Sequence, residues 1–387
     1  MKMSENKKKY VIAITGGGTG GHIYPGIAVA DEIRNLVDKD VILEIHWIGS
    51  SKGMDRTLVE KSFVSNGGSI DAFHGIPCGK LRRYVSFQNF IDLFKTFAGF
   101  VKAFFILAKL KPNVLFSKGG FVSVPPCLAS SILKIPFFTH ECDFTPGLAT
   151  RINSKKAKHV LVSYEDTKKY FSEPVKSKCI ATGNPVRPVF YSDHAAEGRK
   201  FLGIPEDNKK PVLLVIGGSL GALQINNLVT ESLEELKKNF IVVHQTGKAF
   251  AEAHPEIMSS GNENYKPYAF IYGEMVSVLQ AADVVLSRAG ANSLSECAVC
   301  AKPMVLIPLC GSGTRGDQVD NARYFEEKGA AVVLAGPEAT KGKLLSKVLE
   351  FTDESRRSEM SARCAELYGS KRPVKVIAEK VLEEAGL

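Results

Sequence analysis

The sequence predicts an α/β chain built as two Rossmann-like parallel-sheet domains facing a cleft. Short buried-strand runs alternate with helical patterns along nearly the whole chain. A glycine-rich turn follows a strand twice, and a second strand-and-turn segment recurs in each half in the same order. At 387 residues there is room for two domains of ordinary size.

Tyr10–Thr15 reads as a buried strand that runs straight into a glycine turn, Gly16 to Gly21 (GGGTGG). A helical pattern with Pro25 in its first turn follows to about Val37, and Val41–Ile48 returns as a strand. The same grammar recurs as Val212–Ile216, the turn Gly217 to Gly221 (GGSLG), an amphipathic run to Lys238, and Ile241–Gln245. Strand, helix and strand in such short order mean parallel strands joined by crossovers. Asn113 to Gly120 (NVLFSKGG) is echoed by Asp283 to Gly290 (DVVLSRAG). Each is followed by a helix and a Pro-led strand, Ile135–Thr139 and Lys302–Leu306. The seam therefore falls between domains 1–186 and 187–370, with an irregular linker running to Pro211. The last helical stretch, within 371–387, is placed to fold back on the first domain. Ligands of such folds bind at the C-terminal ends of the strands.

Composition narrows the classes. The 44% hydrophobic and 9% aromatic content excludes a disordered or collagen-like chain. Fifty Lys and Arg against 41 Asp and Glu give a net charge of +9, which fits an acidic partner such as a phosphorylated ligand or an anionic membrane. Neither an aromatic–basic platform nor a helix-turn-helix signal is present, so nucleic acid is not expected. Phe97–Ala108 is interrupted by Lys102 and falls short of the roughly 20 apolar residues of a membrane span. The basic N-terminus leads into glycines rather than a signal sequence, predicting a soluble intracellular protein. Eight scattered cysteines fit a reducing compartment, and the Cys297/Cys300 pair reads as buried helix cysteines rather than a zinc site.

Gly16, Gly18 and Gly21 satisfy the glycine spacing of phosphate-binding turns, between a strand and a helix. The second strand ends at His46 to Ser50 without a carboxylate for a ribose, which weakens a nicotinamide reading. Neither turn carries the Lys-Ser/Thr of an NTPase. Two such turns in two repeated halves favour phosphate binding by backbone N–H groups. His22 follows the first turn, either as a general base or as a helix-start residue that holds the turn. Asp38 and Asp40 read as a solvated loop.

Eight motifs then appear in one family's order: GGGTGGHIYPG from Gly16, GGFVS from Gly119, His140-Glu141, GNPVR from Gly183, GGSLGA from Gly217, HQTGK from His244, RAGANSLSE from Arg288, and DQVDNA from Asp317. The chain thus resembles the MurG family, N-acetylglucosaminyltransferases that convert lipid I to lipid II in peptidoglycan synthesis. The resemblance implies a GT-B glycosyltransferase fold and an inverting reaction with no cofactor and no metal at the reaction centre. It implies transfer from UDP-N-acetylglucosamine to the 4-hydroxyl of the muramyl sugar. In the second domain, Glu296 would take the ribose, and backbone at Ile271 and Tyr272 the uracil. Arg187, Ser219 and the helix start Gly290–Ala291 would hold the diphosphate, and Asp317 and Gln318 the sugar hydroxyls, while Arg288 braces its turn. In the first domain, Thr19, Gly20 and Gly21, with Gly119 and Gly120, would take the acceptor diphosphate. His22 is the first choice for the base, followed by Glu141 and Asp143. Cys142 and Asp143 stand where the family has Gln and Asn, Phe121 where it has Tyr, and Asp317 where it has Gln or His.

Lys80, Leu81, Arg82 and Arg83 lead into Phe87, Phe90, Phe94, Phe97, Phe104 and Phe105, with Lys95, Lys102 and Lys109 between them. Most of these aromatics are expected in the core, with the 79–94 end docking on an anionic membrane. The resemblance accordingly implies a peripheral protein on the cytoplasmic face of the cell membrane, with lipid I and other cell-wall synthesis proteins as partners. The alternatives are another GT-B protein, a glycolipid synthase or UDP-sugar epimerase, or a non-enzymatic nucleotide-sugar-binding protein.

Overall fold

The structure is a computed structural model that describes residues 8–80, 87–218, 221–311, 314–368 and 372–387. The chain divides into two compact units, Met1–Arg187 with Lys371–Leu387, and Pro188–Ser370.

The first unit opens with β1 (Lys9–Thr15), α1 (Gly20–Leu36), β2 (Ile42–Ser50), α2 (Asp55–Glu60) and β3 (Ala72–Ile76). It continues through α3 (Phe87–Leu110), β4 (Val114–Ser117), α4 (Val124–Ile132), β5 (Phe137–Glu141), α5 (Leu148–Asn153), β6 (His159–Val162) and β7 (Cys179–Ala181). The seven strands form one sheet in the order β3-β2-β1-β4-β5-β6-β7, every neighbouring pair parallel. Such a sheet is covered on both faces, which is why β1 and β4 are continuous apolar runs rather than alternating ones.

The second unit holds α6 (Ala195–Phe201), β8 (Val212–Ile216), α7 (Leu223–Glu231), α8 (Leu233–Asn239), β9 (Ile241–Gln245), α9 (Lys248–Ala253), α10 (Pro255–Ser259) and β10 (Tyr265–Tyr268). Then come α11 (Met275–Ala281), β11 (Val284–Ser287), α12 (Ala291–Val299), β12 (Met304–Leu306), α13 (Asp317–Glu327), β13 (Ala331–Val333), α14 (Lys341–Leu349) and α15 (Glu354–Tyr368). Its sheet, again all parallel, runs β10-β9-β8-β11-β12-β13. The chain returns to the first unit as α16 (Pro373–Ala385), whose Val374, Ile377, Val381 and Leu382 join the cluster beneath β1 and α1. At about 1.5–3 kcal/mol for each large side chain fully buried, this helix is integral to that unit.

Three expectations change. The stretch from 188 to 211 is not irregular throughout: α6 packs against α11, and the Gln280 side chain ties it by accepting the His194 N–H and donating to the Phe190 carbonyl. The run to Lys238 is two helices, broken at Ser232, whose φ/ψ of −102°/0° is non-helical. Most of the described aromatics of α3 are not core either, although Phe100 and Phe104 pack against the core. Phe90, Phe94, Phe97 and Phe105 are more than half exposed, while the buried stripe is carried by Gly99, Ala103 and Leu107. The apolar face at the 90-94-97-101-105 spacing therefore points to solvent, because the small residues let the helix approach α4 and β3 on the other side.

Candidate functional site

In each sheet the strand order reverses next to the first strand, between β1 and β4 and between β8 and β11. Loops leaving the two strands in opposite directions open a crevice there, the usual ligand position of such folds.

In the first unit, β1 ends at Thr15 and the glycine turn carries the chain into the 17-residue α1, with Thr19 as its N-cap in extended backbone. The positive end of the helix dipole there gives an anion-attracting end. The turn is held by side chains from elsewhere. Asp55, at the start of α2, is buried, and its carboxylate accepts the Gly18 N–H at 2.9 Å and the Ser50 N–H at 2.8 Å. Trp47 donates its indole N–H to the Gly16 carbonyl at 3.2 Å. Sequence reading missed both, because neither lies in a motif. Burial raises the Asp55 pKa, while the backbone N–H groups oppose that rise.

Gly119 and Gly120 leave β4 with φ of 89° and 77°. A Cβ on Gly120 would stand 2.8 Å from His22 Cδ2 and 2.9 Å from the Gly17 carbonyl. The His22 imidazole thus lies directly on the second glycine turn. The structure brings together Thr19, Gly20, Gly21, His22, Gly119 and Gly120 at the ends of β1 and β4.

His140 and Glu141 end the adjacent β5. The His140 Nε2–H donates to the Gly183 carbonyl at 3.0 Å. Burial foremost, then the nearby Lys118 charge, holds that imidazole well below its ordinary pKa. Glu141 is buried, with its two carboxylate oxygens accepting the Asp143 N–H at 3.1 Å and the Gly147 N–H at 2.9 Å. That carboxylate is engaged in shaping the loop to α5. Among the described residues, Glu141, Cys142 and Asp143 form the one group whose ligand atoms, all within 4.8 Å, could hold a metal ion.

In the second unit, Ser219 lies outside the described residues. Gly290 caps α12 with φ −70°, and a Cβ added to it would meet nothing within 4 Å among the described residues. Glu296 is half-buried on the same helix, with Arg288 half-buried just ahead of it. Buried Ile271 and exposed Tyr272 follow β10, and the Ile271 N–H donates to Gln245 Oε1 at 2.9 Å. Asp317 and Gln318 begin α13. Asp317 pairs with Arg315 at 3.5 Å, and Gln318 Oε1 accepts the Leu309 N–H at 2.9 Å, which ties down the loop after β12. All these residues except Glu296 sit where the chain leaves a strand at its C-terminal end, and Glu296 is one and a half turns into α12. Arg187 is exposed and closes the first unit rather than opening the second.

Below this edge His244 on β9 is fully buried. Asn226 donates its amide to the Thr246 carbonyl at 2.7 Å, so its Oδ1 must accept from His244 Nε2–H at 3.1 Å. That leaves Nδ1 to accept the Tyr265 hydroxyl at 3.1 Å. Burial lowers this imidazole's pKa to about 4, so it is a neutral structural strut.

Of the membrane candidates, Lys80 is exposed, while Leu81, Arg82, Arg83 and the Phe87 side chain lie outside the described residues. No helix among the described residues is long and apolar enough to cross a membrane.

The glycosyltransferase family 28 N-terminal domain matches residues 12–162 and its C-terminal domain residues 212–381. A Treponema denticola protein named UDP-N-acetylglucosamine–N-acetylmuramyl-(pentapeptide) pyrophosphoryl-undecaprenol N-acetylglucosamine transferase is 50% identical, over 95% of this chain and 96% of that one. The crystal structure of MurG from Acinetobacter baumannii superposes with a TM-score of 0.72 at 22% identity, covering 97% of this chain and 100% of that one. A UDP-GlcNAc 2-epimerase from Neisseria meningitidis, at 15% identity, shares the fold with a TM-score of 0.66, covering 97% of this chain and 100% of that one. Likeness at such identities speaks for the GT-B architecture alone. Half of all residues shared along nearly the full length, with both domain models matched in order, carries more: the chain is a glycosyltransferase and belongs to the MurG family.

Proposed function

We propose that this enzyme transfers N-acetylglucosamine from UDP-N-acetylglucosamine to the 4-hydroxyl of the muramyl sugar of lipid I, with inversion and without a metal ion at the reaction centre. The name carried by the Treponema denticola relative supports the substrates. The observation that carries the chemistry is the seat of His22, at the start of α1 and against Gly119–Gly120. A base there stands beside backbone N–H groups suited to an acceptor's diphosphate. His22 accepts the proton of the attacking hydroxyl, the glycosidic bond to UDP breaks as the new one forms, and UDP departs with its charge. Glu141 is the weaker candidate, since both its oxygens already accept backbone N–H groups. Asp143 remains the third choice.

In the second unit the uridine and sugar fall to Glu296, Ile271, Tyr272, Asp317 and Gln318. The departing diphosphate is met by N–H groups at Gly290–Ala291 and in the turn that carries Ser219, together with Arg187, in place of a cation. The Ile271 N–H is occupied by Gln245, so the uracil contact falls to Tyr272 backbone or the Ile271 carbonyl. The outward aromatic face of α3, with Lys80, Lys95, Lys102 and Lys109, docks on the anionic cytoplasmic leaflet as a peripheral contact, each cation adding roughly 1 kcal/mol.

Label from UDP-N-acetylglucosamine should pass to lipid I with undiminished rate in EDTA, and the product anomer should be β. Loss of all turnover in EDTA would end the metal-free reading, and a label found only in an epimerised nucleotide sugar would favour the epimerase alternative. Acidic replacements at Lys80, Arg82 and Arg83 should reduce co-sedimentation with anionic vesicles. Equal binding by the variant would remove the membrane role of that segment.

A further inference from the structure

Lys118 leaves β4 beside β1, at the point where the sheet order reverses. It is fully buried, and its Nζ has no hydrogen-bonding partner among the described residues. Buried charges are ordinarily paired, so a lysine in this state is poised for a partner that arrives from outside. Its place says what partner that is. Its backbone N–H donates to the Thr15 carbonyl at 2.8 Å. Its Cβ stands 3.2 Å from where a Cβ on Gly16 would be, so the stem lies on the first residue of the glycine turn. Its charge also reaches His140, as does that of His22. The nearest acid along the chain, Glu141, has its oxygens turned to the Asp143 and Gly147 N–H groups. The neighbourhood therefore combines a helix N-terminus, two imidazoles and an ammonium, while the nearby carboxylates of Asp55 and Glu141 are turned to backbone N–H groups.

The second unit repeats the arrangement. Ser117-Lys118-Gly119-Gly120 leaves β4 as Ser287-Arg288-Ala289-Gly290 leaves β11, and each of those strands lies next to the first strand of its sheet across the reversal. One cation stands at each such point.

We propose that Lys118 is the buried cation of an anion site in the first unit, where its ammonium and the positive end of α1 together hold a phosphate of a pyrophosphate-bearing substrate. This rests on the assignment of the acceptor to the first unit. A four-carbon stem with free torsions lets the ammonium follow the anion.

The test compares Lys118→Met, which keeps the shape and removes the charge, with Lys118→Arg. In the transfer assay Lys118→Met should raise the KM for the lipid-linked acceptor at least tenfold and leave that for the UDP-sugar within twofold, with Lys118→Arg restoring most of the difference. Calorimetry with inorganic pyrophosphate should show at least a tenfold loss of affinity in Lys118→Met. The melting temperature of Lys118→Met should be equal to or above that of the native protein, because an unpaired buried charge is removed. A folded Lys118→Met protein with unchanged acceptor KM and unchanged pyrophosphate affinity overturns the proposal, as does an equal rise in both KM values. If native enzyme gives no transfer to lipid I, the substrate assignment fails, and pyrophosphate calorimetry still judges Lys118. If Lys118→Met does not fold, native crystals soaked in pyrophosphate decide. Density within hydrogen-bonding distance of Lys118 Nζ supports the site, whereas density elsewhere, or none, refutes it.

Discussion

The two units follow one plan, yet their glycine turns are glycine for different reasons. In the first unit, side chains fill the space a Cβ would need. Asp55 Oδ2 lies 1.9 Å from such a position on Gly17, the Phe121 ring 2.4 Å from one on Gly18, and His22 2.8 Å from one on Gly120. In the second, a Cβ on Gly290 would meet none of the described residues. The first pair of turns is locked by side chains; in the second unit Gly217 and Gly221 are closed by backbone at Ala222 and Thr246, and the open positions are Gly218 and Gly290. A conserved-looking backbone shape can thus mark either close packing or ligand access, and the neighbours decide which.

The largest effect should come from the lock itself. His22→Ala is expected to lower kcat by about 10²–10⁴-fold while the KM for UDP-N-acetylglucosamine stays put, since the proposed base and the proposed uridine and sugar contacts belong to different units. Steady-state kinetics with both substrates check this, and near-native turnover would transfer the role to Asp143.

Acid should weaken both units next, since His140 in the first unit is likewise held well below its ordinary pKa by burial. His244 stays neutral in the folded second unit, with a pKa near 4 against an ordinary 6.5. The unfolded chain takes up this proton as pH falls through 6.5, and the folded unit only near 4. The stability is therefore complete above 6.5 and is lost toward pH 4, by about 3 kcal/mol from this residue. Urea melts by circular dichroism at pH 7 and 4.5 should show the drop, with a smaller one in His244→Gln. Trp47 is the only tryptophan and lies in the first unit, so its fluorescence follows that unit alone. An equal slope in His244→Gln would remove this residue as the cause.

The glycine contrast predicts opposite signatures. Gly120→Ala puts a Cβ against His22 and the Gly17 carbonyl at positive φ and should destabilise by about 1–3 kcal/mol. Gly290→Ala should change stability by under about 1 kcal/mol and raise the KM for the UDP-sugar severalfold. Thermal melts and donor kinetics on both variants suffice, and matching behaviour would erase the distinction between the units. A small shift is also expected of Asp55→Asn, which keeps the shape but gives up one of two accepted N–H bonds, for about 1 kcal/mol by urea titration and a modest loss of kcat. Unaltered stability there would mean that the turn holds without its clamp.

What the chain order alone revealed is local in origin. Strand-then-glycine-then-helix is written within some twenty consecutive residues, so the strands β1, β2, β8 and β9 could be placed to within two residues of their ends, while Pro25, read in the first turn of α1, stands at its sixth position. The repeat of 113–120 at 283–290 showed two related lobes for the same reason. The order of motifs along the chain likewise points to the family by itself. Everything carried by contacts distant in sequence had to wait. Asp55 reaches back 37 residues to Gly18, and Gln245 reaches forward 26 to take the Ile271 N–H. Lys118 is buried, which its neighbours in sequence do not announce. Phe90, Phe94, Phe97 and Phe105 of α3 face outward because Gly99, Ala103 and Leu107 settle which side of the helix packs, a choice that hydrophobicity could not make with apolar residues on both sides. Periodicity and turn chemistry act between near neighbours and are legible there. Which groups meet, and which charge is left without a partner, is fixed only when the folded chain brings remote segments into contact.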